Sequence, residues 1–123
     1  MKHFILSRSA LATTMSLALS LVACGGGGDA APSTPHLTGT AAVGAALAGA
    51  NVTARCAAGP DITGPTGSDG EFDLSLASGQ ALPCMVRVTG GSPAVTLHSL
   101  ATASGRINIT PLTELIVARA AGQ

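Results

Sequence analysis

Apolar and polar side chains alternate one for one along several short stretches of this 123-residue chain, and turn-forming residues separate those stretches. In GEFDLSL, Phe72, Leu74 and Leu76 fall on one side and Glu71, Asp73 and Ser75 on the other. A period of two gives a strand one apolar face and gives a helix none. CMVRVT repeats the pattern, with Cys84, Val86 and Val88 opposed to Met85, Arg87 and Thr89. ANVTARC sets Val52, Ala54 and Cys56 against Asn51, Thr53 and Arg55. LTGTAAV (37–43), VTLHSLAT (95–102) and RINIT (106–110) are further strand candidates. GPDITGPTGSDG is dense in Gly, Pro and Asp and is expected to turn, and ASGQALP (77–83) to loop. Six short strands with turns between them predict an all-β fold, a small antiparallel sandwich. Trp and Tyr are absent and the two Phe are Phe4 and Phe72, so Val, Leu, Ile and Ala must fill its core.

The period changes after residue 110. Thr110 suits an N-cap, and Pro111 suits the first helical position, where its missing donor costs nothing. Leu112, Leu115 and Ile116 then share a face, and Gly122 is placed to end the helix. A short C-terminal helix within 111–123 follows. A helix of this length does not persist in water unaided. It must dock on the sandwich, join a partner or fray.

The N-terminus has a different character. MKHFILSRSALATTMSLALSLVAC carries Lys2 and Arg8, then an apolar stretch relieved only by Ser and Thr, and no acid precedes Asp29. This is the layout of a secretory signal: a positive start followed by a moderately apolar segment. A membrane span would need about 20 strongly apolar residues. GGGGDAAPSTPH comes next, four glycines and then Pro32 and Pro35, and reads as a flexible, then semi-extended tether. A phosphate-binding loop would need a following Lys-Ser/Thr, and none is present.

The end of the signal, Leu21, Val22, Ala23 and Cys24, resembles a bacterial lipobox. That resemblance implies cleavage between Ala23 and Cys24, a diacylglycerol on the Cys24 thiol, and acylation of the new amino group. Two or three acyl chains anchor a protein stably, each buried CH₂ adding about 0.8 kcal/mol. Gly25 stands where lipoprotein families with a sorting step use Asp to retain the protein at the inner membrane, which favours the outer membrane in a cell that has one. The expected organisation is a lipoprotein signal peptide (1–23), a lipidated cysteine and tether (24–36), the sandwich (37–110) and the helix (111–123).

With Cys24 consumed by lipid, Cys56 and Cys84 remain, an even count for an exported domain. Both fall on the apolar face of their strands, so a disulfide between them is expected inside the core, worth roughly 3 to 4 kcal/mol. A zinc site is the rival, but no CxxC is present and only His36 and His98 are left to add. No metal and no cofactor are expected.

GAALAGANVTARC followed by TGSDGEFDLSL resembles the carboxypeptidase-regulatory-like, or transthyretin-like, Ig-type domains of bacterial surface proteins, with Asp69, Gly70 and Phe72 matching their D-G-x-F/Y turn. The resemblance covers about residues 37–110 and implies an Ig-like, prealbumin-like sandwich. LHSLATASGRINITPLTELIVARAAG is similar to the strand, Thr-Pro and helix ending of repeat-type domains in uncharacterised proteobacterial lipoproteins. Those relatives often continue further, so a truncated form of a longer protein is one expectation.

Catalytic constellations fail on spacing. His98 and Ser99 are strand neighbours that face opposite ways, and no G-x-S-x-G accompanies them. SDGE around Asp69 is too short for a calcium loop and reads as a turn. Glu71 and Asp73 share a strand face, but no aromatic platform exists to hold a sugar ring. Nucleic acid is excluded as a partner, since clustered Lys and Arg are missing. Beyond residue 23, four arginines (55, 87, 106, 119) face six acids (29, 61, 69, 71, 73, 114) and there is no lysine. The expected function is therefore non-enzymatic: a lipid-anchored envelope protein with a binding or structural module, its partner an envelope protein or polysaccharide. An accessory module of a larger surface enzyme or assembly is the alternative.

Overall fold

A computed structural model describes residues 33–123. Cys24, the signal and most of the tether lie outside the described residues. Among the described residues seven strands and one helix follow in order: β1 (His36–Thr40), β2 (Asn51–Ala58), β3 (Ile62–Pro65), β4 (Glu71–Ser75), β5 (Ala81–Gly90), β6 (Val95–Ala101), β7 (Gly105–Arg106) and α1 (Pro111–Ala120). They form a three-stranded sheet, β4-β1-β7, and a four-stranded sheet, β3-β2-β5-β6. The fold is all-β with a short C-terminal helix, as the alternation predicts.

Burial follows the period of two. Phe72 and Leu74 of β4 and Leu37 of β1 turn inward from one sheet, and Val52, Ala54, Val86 and Val88 from the other. Leu47, Leu76, Leu97, Ala101 and Ile109 complete a core without large aromatic residues apart from Phe72. Small residues permit the close approach that this core requires. At Gly39 a Cβ would stand 1.5 Å from the Ile107 carbonyl oxygen, so only glycine lets β1 receive the segment after β7. Gly70, at φ +73°, makes the turn into β4, and its carbonyl accepts from the Ala41 amide at 2.9 Å. Thr66 is buried and joins the connection between β1 and β2. Its hydroxyl donates to the Leu47 carbonyl and accepts from the Ala50 amide at 2.8 Å.

Cys56 and Cys84 face each other across β2 and β5 and form a disulfide over a separation of 28 residues. Cys84 is fully buried, and Cys56 packs part-buried against the core.

Four expectations need correction. The ASGQALP stretch loops only to Gln80, because β5 begins at Ala81, which pairs with Ala58. The GPDITGPTGSDG segment turns, but it also contains β3, which pairs antiparallel with β2 from Asn51↔Pro65 to Ala54↔Ile62. RINIT is not a full strand. The strand proper is Gly105 and Arg106, paired parallel with Leu37 and Thr38, and beyond it Ile109 makes one isolated parallel bridge to Ala41, so the sandwich is not purely antiparallel. β1 ends at Thr40 rather than continuing to residue 43, leaving isolated bridges at Ala41 and Ala42.

The helix begins and ends where the residues predict. The Thr110 hydroxyl accepts from the Thr113 amide at 3.3 Å, the Thr113 hydroxyl receives the Thr110 amide at 2.8 Å, and Gly122 adopts φ +81° after the cap. Its docked face is the unexpected one. Leu112, Leu115 and Ile116 remain 67%, 67% and 60% exposed, while Thr113, Glu114, Val117 and Ala118 are half-buried. Polar side chains explain the choice: Glu114 Oε2 accepts the His98 backbone N–H of β6 at 2.5 Å, and Thr113 Oγ1 donates to the His98 carbonyl at 3.0 Å. Among the described residues no helix is long and apolar enough to cross a membrane.

Candidate functional site

The outer face of the four-stranded sheet carries a groove of about 200 Å³, lined by Thr53, Arg55, Asp61, Met85, Arg87 and His98. Register builds it. Thr53 of β2 is opposite Arg87 of β5, which is opposite His98 of β6. One row along, Arg55, Met85 and Leu100 stand in the same relation. Alternation in β2 and β5 assigns these side chains to the solvent face, since their neighbours Val52, Ala54, Val86 and Val88 occupy the core.

Two of the groove's three basic side chains already have partners. Arg55 grips Asp61 with both arms of its fork, Nε to Oδ1 at 3.1 Å and Nη2 to Oδ2 at 3.0 Å. These hydrogen bonds raise the Arg55 pKa and, followed by the opposing cost of burial and the attraction of Arg55 and Arg87, hold the Asp61 carboxyl below the ordinary aspartate value. His98 Nδ1 is 2.9 Å from Glu114 Oε2. A carboxylate only accepts, so Nδ1 carries the proton at that contact and Nε2 is left for the groove. Arg87 makes no ion pair and no side-chain hydrogen bond among the described residues.

The residues weighed for chemistry do not converge. His98 faces the groove side, whereas Ser99 is buried on the inner face. Asp69 belongs to the turn before β4. Glu71 and Asp73 line a second depression, of about 420 Å³, on the outer face of the three-stranded sheet with Thr38 and Arg106, where Asp73 bonds His36 Nδ1 at 2.5 Å and Arg106 bonds the Thr40 hydroxyl at 3.1 Å. Among the described residues no three His, Cys, Asp or Glu side chains gather as metal ligands would.

The groove escapes a reading of the chain alone because it depends on register. Alternation puts Thr53, Arg55, Met85 and Arg87 on outer faces, but which of them adjoin is decided by pairing between strands some 30 residues apart. No protein-family model, curated protein or solved structure matches the chain.

Proposed function

We propose that the protein is a non-enzymatic, lipid-anchored component of the bacterial cell envelope, held at a membrane through Cys24, whose sandwich serves as a small binding module. The observation that carries this is the run Leu21, Val22, Ala23 and Cys24 at the end of a positively started, moderately apolar segment. The paired Cys56 and Cys84 support it, because disulfides persist in oxidising compartments outside the cytoplasm. Gly25, rather than Asp, after the cysteine favours the outer membrane in a cell that has one. The Asp69-Gly70 turn leading to Phe72 supports an Ig-like sandwich of the carboxypeptidase-regulatory type. An envelope protein or polysaccharide is the expected class of partner.

The exposed Leu112, Leu115 and Ile116 favour a second reading, an accessory module whose helix packs on a larger surface enzyme or assembly. Metabolic labelling tests the anchor. Radiolabelled palmitate enters the wild-type protein and not Cys24→Ala; equal labelling of the two removes the proposal. Intact mass of the protein purified from the envelope should show no free thiol at Cys56 or Cys84.

A further inference from the structure

The groove's donors are unequally occupied. Thr53, Arg87 and His98 form one row across three strands, with neighbouring strands about 4.8 Å apart. The fork of Arg55 is spent on Asp61, and Nδ1 of His98 on Glu114. Arg87, at the centre of the row, attracts Asp61 but makes no ion pair and no side-chain hydrogen bond among the described residues, so the donors of its guanidinium face the groove unspent. Beside it Met85 and, opposite Met85 in β6, Leu100 are 38% and 46% exposed and supply an apolar surface.

We propose that this groove binds an organic carboxylate bearing a short branched apolar body, with the carboxylate on Arg87 and the body over Met85 and Leu100. The inference rests on the domain being a binding module, and it adds the ligand's chemical class. The planar fork of arginine matches a carboxylate in two parallel hydrogen bonds. Charge sets the valence of the ligand. Arg55 already balances Asp61, so Arg87 matches a single negative charge one for one, while a phosphate dianion leaves its second charge uncompensated and facing the carboxylates of Asp61 and Glu114. Thr53 adds a hydroxyl donor on one side. Methionine adapts its shape to an apolar body, which suits a branched chain better than a flat ring.

The test uses the ¹⁵N-labelled full chain, purified in detergent, titrated with N-acetyl-leucine, N-acetyl-leucinamide, 4-methylvalerate and inorganic phosphate. N-acetyl-leucine is expected to shift the backbone resonances of Thr53, Arg87 and His98, and its neutral amide is expected to leave them in place. Binding of 4-methylvalerate with equal strength identifies any carboxylate of this shape as the ligand; binding of N-acetyl-leucine alone identifies a peptide C-terminus. Arg87→Gln should weaken the bound acid about 10- to 100-fold, and Arg87→Lys, which retains charge and loses the fork, should fall between. Arg87 is exposed, and an unchanged spectrum elsewhere confirms that each variant is folded. The proposal is overturned if acid and amide shift the same resonances equally, if phosphate binds as tightly as the acids, if no probe moves the groove, or if Arg87→Gln binds like wild type. Palmitate labelling of Cys24 is read separately, so loss of the ligand class and loss of the anchor are distinct results.

Discussion

Removing the Glu114 carboxylate by Glu114→Ala should detach α1 while leaving the sandwich folded. Glu114 Oε2 accepts two hydrogen bonds, from the His98 amide at 2.5 Å and from its ring Nδ1 at 2.9 Å. A hydrogen bond to a charged acceptor contributes about 1.5 to 3 kcal/mol when well buried. Here the two side chains are 34% and 32% exposed, so water replaces part of the loss, and the ring contact is worth less than about 1 kcal/mol, as for a surface pair. The sum is roughly 2 kcal/mol. That is decisive for this helix, because none of its residues is fully buried and a segment of 10 residues is marginal alone. Local opening should become about 30-fold more frequent. Native-state amide exchange reads it directly: the Glu114 amide, bonded to Thr110 O at 3.0 Å, and the Ala121 amide, bonded to Val117 O at 2.9 Å, should exchange about 30-fold faster. Amides of the β2–β5 ladder should keep their protection. Glu114→Gln, which retains an oxygen acceptor, should fall between the two. Equal acceleration in α1 and β5, or none in α1, would refute the reasoning.

Other perturbations test the sandwich. Cys56→Ala with Cys84→Ala should cost about 3 kcal/mol and lower the melting temperature by about 15 °C; reduced and oxidised protein melting together would contradict this. Gly39→Ala drives a Cβ into the Ile107 carbonyl, which as backbone cannot swing aside, and should destabilise by about 3 kcal/mol or more in urea unfolding. The lowered Asp61 pKa implies a contribution fully present above the ordinary aspartate value, about 4, and lost as pH falls from there through the folded-state value. Asp61→Asn should therefore flatten the acid limb of stability against pH; as both partners are in contact with water the change should be small, and an unaltered or steeper limb counts against it.

Alternation makes β2, β4, β5 and β6 legible in the sequence, because each has one buried and one wet face. The disulfide was legible for the same reason, both cysteines falling on apolar faces. β3 was hidden by its own composition: Gly64 and Pro65 read as a turn, yet an edge strand tolerates Pro, and β3 needs only β2 as a neighbour. RINIT looked like a strand locally, whereas its pairing depends on β1 nearly 70 residues away and on the gap at Gly39. The helix misled most. Its apolar stripe was visible, but the demand of His98's backbone groups for partners was not, and that demand turned Thr113 and Glu114 inward. The groove required both register and knowledge of which charges were already paired.

The bonds from Thr113 and Glu114 to His98 have a bearing on self-association. β6 is the last strand of its sheet, and in an antiparallel strand alternate residues aim both N–H and C=O outward. Thr96, His98 and Leu100 therefore offer the rim to any passing strand, and α1 occupies the middle one of the three. A free rim of 7 residues is a template on which a second chain can add as an extra strand. A short polar clasp from a ten-residue helix thus guards the sheet against growth, and chains that lose the helix to fraying or proteolysis should pair rim to rim before they unfold.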